Sequence, residues 1–159
     1  MATNATAITM SQNQIETISS QDFTQLFAIE QQAHLVPWGF GTLQNNQGEN
    51  YLNLKYVQGH QIIAFAICQT VLDEATLFNI AVAPAQQGKG VGRALLQALI
   101  AQLKQKSIAT LWLEVRQSNL KAQKLYEDLG FNQVDVRKNY YPTTDGKREN
   151  AIVMALYLA

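Results

Sequence analysis

The sequence predicts a mixed α/β domain in which helices flank a central mixed sheet. The 159 residues are 47% hydrophobic and only 15% charged, a composition typical of a chain that folds around one core. Apolar strand-like runs alternate with amphipathic stretches. Short turns join three consecutive strand-like runs, which favours antiparallel pairing, whereas a helix joins the third run to the fourth, which favours parallel pairing. Both kinds of pairing therefore belong to one sheet.

The first third of the chain predicts a strand, a helix and an irregular segment. Residues 1–12 are small and polar, and we expect them to be frayed, which leaves 13–159 as a single domain. The run QIETIS predicts a strand, and residues 19–34 predict a helix that Ser19 or Ser20 can cap. One face of that helix carries Phe23, Leu26, Phe27 and Glu30. Prolines and glycines break the next segment, where a short helix over 40–44 can form.

The remaining two thirds predict the rest of the sheet and two longer helices. Val91, Leu95, Leu99 and Leu103 recur every fourth position and predict a helix over 90–106. Gly130 ends a second predicted helix. The predicted strands cover residues 51–58, 61–72, 75–83, 109–115, 131–138 and 150–158, and the second helix covers 118–130.

Composition also excludes several classes of partner. Twelve basic and twelve acidic residues leave no net charge, so we expect no direct nucleic-acid binding and no membrane partner. Cys68 is the only cysteine, which excludes an intramolecular disulfide, and its apolar neighbours favour a buried thiol over a reactive one. The N-terminus lacks the basic start and the apolar stretch of a secretory signal, so we expect a cytoplasmic protein.

Three glycines on alternate positions, Gly88, Gly90 and Gly92, separate a strand-like run from a helix. Glycine tolerates positive φ, and the start of a helix presents unpaired N–H groups. With Lys89 and Arg93 adding positive charge, this loop suits an anion such as a pyrophosphate. An ordinary strand-to-helix turn is the alternative. The spacing matches neither the P-loop nor the dinucleotide-binding pattern, which disfavours nucleotide hydrolysis and a dehydrogenase.

The stretch NIAVAPAQQGKGVGRALL, with its Q-x-x-G-x-G core, resembles the acetyl-coenzyme A signature of the GNAT N-acetyltransferases. TLWLEVRQSNLKAQKLYEDLGF and NYYPTTDG extend the resemblance, which covers nearly everything from Gln14 onward. It implies the GNAT acyl-CoA N-acyltransferase fold, with acetyl-CoA as co-substrate and no metal. The resemblance is strongest to those members of the family that acetylate the N-terminal alanine of a ribosomal protein.

The resemblance also implies which residues bind acetyl-CoA. Backbone groups of Ile80, Ala81 and Val82 would hold the pantetheine arm and the thioester. Asn119, which can also cap its helix, would contact coenzyme A. The pyrophosphate would be held by Gly88, Lys89, Gly90, Val91, Gly92 and Arg93. Gly88 stands where relatives often carry arginine, so phosphate binding there would depend more on the backbone and on Lys89.

Two side chains fit the acetyl-transfer reaction. The resemblance implies that Glu114 is the general base, usually acting through water, and that Tyr126 protonates the departing thiolate. A free α-amine has an ordinary pKa of about 7.7 to 8.0, so one carboxylate is enough to activate it near neutral pH. The alternatives are an outward-facing Glu114 paired with Arg116 or Lys124, and a Tyr126 that only packs in the core.

The acceptor is expected to bind against two segments that form a peptide slot in related N-terminal acetyltransferases. The loop between the first two helices supplies Leu35, Val36, Pro37 and Trp38, and the loop joining the last two strands supplies Tyr140 and Tyr141. Tyrosines offer contact area and a polar tip, which suits a peptide backbone. Aromatic packing that stiffens the loop before Pro142 is the alternative.

The sequence thus predicts an enzyme that transfers acetyl from acetyl-CoA directly to the N-terminal amine of a protein. The resemblance implies that this partner is the eighteenth protein of the small ribosomal subunit, through its N-terminal alanine. Two alternatives stay open. One is an acetyltransferase of the same family acting on lysine side chains or small amines, and the other is a non-catalytic coenzyme A-binding module for ribosome assembly.

Overall fold

A computed structural model describes residues 14–159, so the expected frayed segment lies outside the described residues. Seven strands form one sheet: β1 (Gln14–Thr17), β2 (Leu54–Gln58), β3 (Gln61–Val71), β4 (Glu74–Val82), β5 (Thr110–Arg116), β6 (Asn132–Pro142) and β7 (Arg148–Tyr157). The α-helices are α1 (Phe23–Ala33), α2 (Phe40–Asn45), α3 (Val91–Gln105) and α4 (Leu120–Asp128). Within residues 14–159, every helix is too short or too polar to traverse a lipid bilayer.

The sheet has the order β1-β2-β3-β4-β5-β7-β6 and is mixed, as predicted. β1 to β4 pair antiparallel, with short turns joining β2 to β3 and β3 to β4, whereas residues 18–53 with α1 and α2 join β1 to β2. β5, β7 and β6 also pair antiparallel. β4 and β5 are parallel because α3 carries the chain back across the sheet between them. The sheet thus has two antiparallel parts, β1 to β4 and β5 to β7, which meet at a single parallel junction between β4 and β5.

Hydrophobic cores lie on both faces of the sheet. The helical stripe of α3 is confirmed, since Leu95, Leu99 and Leu103 are fully buried in the core where this helix contacts β2, β3 and β4. On the other face, α1 and α2 pack Phe23, Leu26 and Leu43 against β3. This second core covers the half of the sheet that precedes the parallel junction, so the helices cover that half on both faces.

The parallel junction is short. Pairing between β4 and β5 stops at Leu77 and Leu113, although both strands continue beyond that point. Phe78 lies at a β-bulge in β4, because Ile67 of β3 pairs with Asn79 and the next residue, Cys68, pairs with Leu77. The two strands part at the bulge, and an opening forms in the middle of the sheet.

The predicted serine cap of the first helix is wrong. α1 begins at Phe23, and neither Ser19 nor Ser20 caps it. Asp22 precedes the helix in a helical backbone conformation and makes no capping bond to it. Its carboxylate instead accepts a hydrogen bond from the Ser19 N–H at 2.7 Å and one from Lys55 Nζ at 2.8 Å. A long-range ion pair has replaced the local cap.

The predicted loop position of Tyr140 and Tyr141 is also wrong, because β6 continues through both residues to Pro142. A bulge between Arg137 and Tyr141 makes this extension possible, with Asn139 at a φ of 52°. Side chains of β7 replace the lost ladder bonds: Arg148 Nε donates to the Asn139 carbonyl at 2.9 Å and Arg148 Nη2 to the Tyr140 carbonyl at 2.7 Å. Such contacts between strands leave no local signal in the sequence.

Cys68 provides a test of this core. Its side chain is fully buried in β3, and burial raises the pKa of the thiol to about 12. Because the thiolate is the reactive species, we expect the native protein not to react with a thiol reagent at pH 8, and to react with one equivalent after unfolding in urea. Absorbance of the released chromophore measures both. Rapid reaction of the native protein would contradict the placement of Cys68.

Candidate active site

A cavity of about 670 Å³ lies where β4 and β5 part. Its walls come from β4, β5, the starts of α3 and α4, the segment after α1, and the end of β6. It brings together most of the predicted site residues, namely Val36, Pro37, Trp38, Ile80, Ala81, Val82, Gly88, Gly90, Val91, Gly92, Arg93, Glu114, Asn119, Tyr126 and Tyr141. Lys89, Leu35 and Tyr140 do not line it, and the last two are 65% and 40% exposed.

The glycine loop has the backbone of an anion site. Gly88 and Gly90 have φ values of 76° and 83°, which side-chain-bearing residues rarely adopt. Gly90 precedes α3 and its carbonyl accepts the Ala94 N–H at 3.0 Å. The N–H groups of Val91, Gly92 and Arg93 have no acceptor within the described residues. The positive end of the α3 dipole and these free donors therefore point to the same place.

The side chains near this loop contribute less charge than the sequence suggests. Arg93 Nη2 lies 3.3 Å from Asp128 Oδ2 in α4, and Lys124 Nζ lies 3.4 Å from the other oxygen of the same carboxylate. The positive charge of Arg93 is thus partly compensated. The backbone donors are the stronger feature of the loop.

Glu114 is the first residue of β5 beyond its pairing with β4. Leu113 and Val115 are buried in the core beneath α3, so Glu114 points to the opposite face of the sheet. Its Oε2 is enclosed and lies 3.2 Å from Arg137 Nε, but without the angle of a hydrogen bond. Neither Arg116 nor Lys124 pairs with it within residues 14–159. Glu114 Oε2 is thus a buried carboxylate oxygen without a hydrogen-bond donor.

Tyr126 lies on α4 and reaches the cavity from the other face of the sheet. The residue is 6% exposed, and its ring packs at 5.7 Å from the Phe131 ring. The hydroxyl makes no hydrogen bond within the described residues and is not enclosed, so it opens into the cavity. Burial raises the pKa of Tyr126 to about 12. The Tyr126 ring therefore packs in the core while its hydroxyl reaches the cavity.

Asn119 caps α4 as predicted, since its Oδ1 accepts the Ala122 N–H at 3.1 Å. This bond fixes the first turn of the helix that carries Tyr126, and Asn119 also lines the cavity. The cap therefore sets the position of α4 against the opening between β4 and β5.

Two arginines organise the tyrosine pair at the end of β6. The rings of Tyr140 and Tyr141 meet edge to face at 5.0 Å. Arg137 lies 5.0 Å from the Tyr140 ring centroid, and Arg116 lies 4.7 Å from that of Tyr141. Burial and the nearby negative charge of Glu114 raise the pKa of Tyr141, so its hydroxyl stays protonated and can donate. Cation–π contacts fix both rings beside the candidate base.

Sequence reasoning missed several residues that line the cavity, among them His34, Asn79 and Arg116. Arg116 pairs with Glu149 of β7 at 3.1 Å and donates to the Pro142 carbonyl at 2.8 Å. The alternating burial of β5 places Arg116 on the same face as Glu114, and this was the one signal that could have indicated it.

The residues present fit acetyl-CoA. The free N–H groups at the start of α3 suit its phosphates, and β4 presents to the cavity the backbone that no longer pairs with β5. Glu114 lines the same cavity, which is large enough for an extended ligand arm.

Comparisons with a family model and with known proteins point to the same family. A model of the acetyltransferase (GNAT) family matches residues 13–131. A Haemophilus ducreyi protein named ribosomal protein bS18-alanine N-acetyltransferase is 68% identical over 144 residues, which are 91% of this chain and 99% of that protein. The protein of the same name from Escherichia coli K12 is 56% identical over 144 residues, covering 91% of this chain and 97% of its own.

A solved structure agrees in fold. The crystal structure of the ribosomal-protein-S18-alanine N-acetyltransferase from Escherichia coli matches with a TM-score of 0.90 and 55% identity, covering 92% of this chain and 94% of that one. The family match spans more than half of this chain, and the relatives cover nearly all of it. The GNAT fold expected from the sequence is confirmed, and the chain belongs to the GNAT family of acetyltransferases.

Proposed function

We propose that this protein transfers the acetyl group of acetyl-CoA to the N-terminal α-amine of a protein, and that the acceptor is the N-terminal alanine of ribosomal protein bS18. One observation carries the proposal: a single cavity joins the free donors at the start of α3 to Glu114 and Tyr126. Relatives named for this activity, at 68% and 56% identity, support the choice of acceptor. A ribosomal acceptor places the reaction in the cytoplasm.

The reaction is a direct transfer. The acceptor nitrogen attacks the thioester carbonyl and the carbon–sulfur bond breaks. The acetyl group is then bound to the acceptor as an amide, and coenzyme A leaves as a thiol. Cys68, the only cysteine, is buried in β3 and does not line the cavity, so it supplies no nucleophile. Binding both substrates in one orientation supplies most of the acceleration.

Glu114 accepts the proton that the amine must lose, directly or through one water. Arg137 holds one of its oxygens by charge attraction at 3.2 Å, while the other oxygen is not enclosed. The arginine thereby orients the carboxylate without occupying its lone pairs with a hydrogen bond. At pH 7.5 about a third of an ordinary α-amine is already unprotonated, against about 0.1% of an ordinary lysine amine. The single carboxylate therefore favours the α-amine.

Tyr126 donates the proton that the departing sulfur needs. A phenol with a pKa of about 12 is protonated at every physiological pH, so Tyr126 always carries the proton that it donates. It is a weaker acid than an ordinary thiol, with a pKa of about 8.5, so donation to a free thiolate is unfavourable. The proton must move while the carbon–sulfur bond breaks, inside an apolar cavity that also disfavours a thiolate.

The acceptor enters between the segment 36–38 and Tyr141, which line the same cavity. Tyr141 supplies a protonated hydroxyl for a peptide backbone, and Trp38 supplies an apolar wall. Leu35 and Tyr140 lie outside the cavity and are exposed, so we place them at its rim, where they contact residues that follow the first one.

The acceptor assignment predicts strict dependence on a free α-amine. A peptide that begins with alanine and contains an internal lysine should be acetylated once, at its N-terminus, because only that amine has a substantial unprotonated fraction near neutral pH. Mass spectrometry of the product locates the acetyl group. Undiminished activity on the same peptide with a blocked α-amine would support the lysine acetyltransferase instead, and no turnover with bound acetyl-CoA would support the binding module.

Replacing the base predicts a pH-dependent loss. Glu114→Gln should lower kcat about 100-fold or more at pH 7, since the amine loses its proton acceptor, while the dissociation constant for acetyl-CoA stays unchanged. The loss should shrink above pH 8, where the α-amine is unprotonated without help. Steady-state kinetics across pH and calorimetric binding measure both. Glu74→Gln, which alters a carboxylate of the same sheet that accepts from Trp112 Nε1 at 3.0 Å, is the matched control and should remain active. An equal rate for Glu114→Gln would exclude it as the base.

The glycine loop predicts a loss of donor binding without a matching loss of stability. Gly90→Ala places a side chain at a φ of 83°, and Gly59→Ala does so at 63° in the turn between β2 and β3, where nothing lies within 4 Å. Both should cost about 1 kcal/mol of folding free energy. Only Gly90→Ala should also weaken coenzyme A binding, by about tenfold, because relief of the strain moves the N–H donors. Equal affinities of the two variants would contradict the proposed phosphate site.

A further inference from the structure

Glu30 is the most deeply buried carboxylate of the described residues, and the proposed chemistry does not use it. It lies in α1 and is 1% exposed. It does not line the cavity, so it is separated from the substrates by other side chains. A buried charge is unfavourable unless it is hydrogen-bonded, so the two oxygens of Glu30 must have partners.

Those partners lie on two separate walls of the cavity. Glu30 Oε2 accepts the backbone N–H of Trp38 at 2.9 Å, and Oε1 accepts from Asn79 Nδ2 at 2.9 Å. Trp38 belongs to the proposed acceptor wall, and Asn79 lies beside Ile80 on β4, the strand of the proposed donor wall. One carboxylate therefore ties the acceptor wall to the donor strand at the point where β4 leaves β5.

His34 completes the network. Its Nε2 lies 2.9 Å from Asn79 Oδ1 and 3.5 Å from Glu30 Oε1. Because the amide nitrogen of Asn79 faces the carboxylate, its oxygen can only accept, and His34 Nε2 must be the donor. His34 and Asn79 both line the cavity. Both oxygens of Glu30 and both polar atoms of the Asn79 side chain have a partner, which makes the arrangement rigid.

We infer that Glu30 is a positioning residue that fixes the distance between the acceptor slot and the bound thioester. β4 is also held by β3 along its whole length, whereas the segment 34–38 belongs to no helix or strand. Loss of Glu30 therefore displaces the acceptor wall and leaves the donor strand in place. A displacement of about 1 Å at such a wall can cost about 100-fold in rate. The inference rests on the proposed function, because it assigns the segment 34–38 to the acceptor.

The experiment compares two substitutions of Glu30 that differ in hydrogen bonding. Glu30→Met has a similar length and accepts neither bond, so the KM for a peptide beginning with alanine should rise at least tenfold, while the dissociation constant for acetyl-CoA stays within about twofold. Glu30→Gln can keep every bond if Asn79 flips its amide and neutral His34 shifts its proton to Nδ1. Its kinetics should stay close to those of the wild type.

Asp22→Leu is the matched control, because it removes a buried carboxylate next to the same helix but away from the cavity. It should lower the midpoint of thermal unfolding without raising the peptide KM. Three results would overturn the inference: an unchanged KM in Glu30→Met, equal losses of peptide and acetyl-CoA binding, or a Glu30→Gln variant as impaired as Glu30→Met, which would show that charge matters and not position. A wild type that is inactive on the free α-amine but active on lysine would overturn the proposed function, and this inference with it.

Discussion

The early end of the parallel pairing between β4 and β5 is the constraint on which the rest of this structure depends. Pairing stops at Leu77 and Leu113, yet β4 is still held by β3 and β5 by β7. Both strands therefore keep their shape while the backbone of β4 that faces β5 loses its partner. Unpaired backbone groups need hydrogen bonds from elsewhere, which makes this opening a binding surface for an extended ligand.

The opening also explains how residues from opposite faces of the sheet line one cavity. Glu114 points away from the core beneath α3, whereas Tyr126 approaches from the helix that packs on that core. In a continuous sheet the two side chains would be separated by the sheet itself. Because the strands part, the proposed base and the proposed acid line the same cavity from its two sides, which suits the proposed transfer, in which one proton is taken and another returned.

Of the four Asp, Glu, Lys or Arg side chains that line the cavity, three lie beside a partner of opposite charge, and the fourth is Lys121. Glu114 lies beside Arg137, Arg116 binds Glu149, and Arg93 lies beside Asp128. This agrees with a chain of no net charge, so the proposed binding of an anionic donor depends more on local dipoles than on a broad field. Backbone N–H groups keep their orientation without a flexible side chain to order, so the glycine loop is preorganised for the phosphate binding proposed for it.

Sequence alone determined the features that depend on neighbouring residues. Apolar residues at every fourth position predicted α3, the glycines predicted the turn before it, and Asn119 was correctly predicted as a cap. Each of these features reflects bonds or burial within a few positions of the chain. The GNAT resemblance added the expected roles of Glu114 and Tyr126, which remain proposals. Tertiary structure decided the features that join distant residues: the ion pair of Asp22 with Lys55 instead of a serine cap, the extension of β6 through Tyr141, and the Glu30 bond to Asn79. A side chain reveals its chemistry in the sequence, but its partner is fixed only when packing brings the two together.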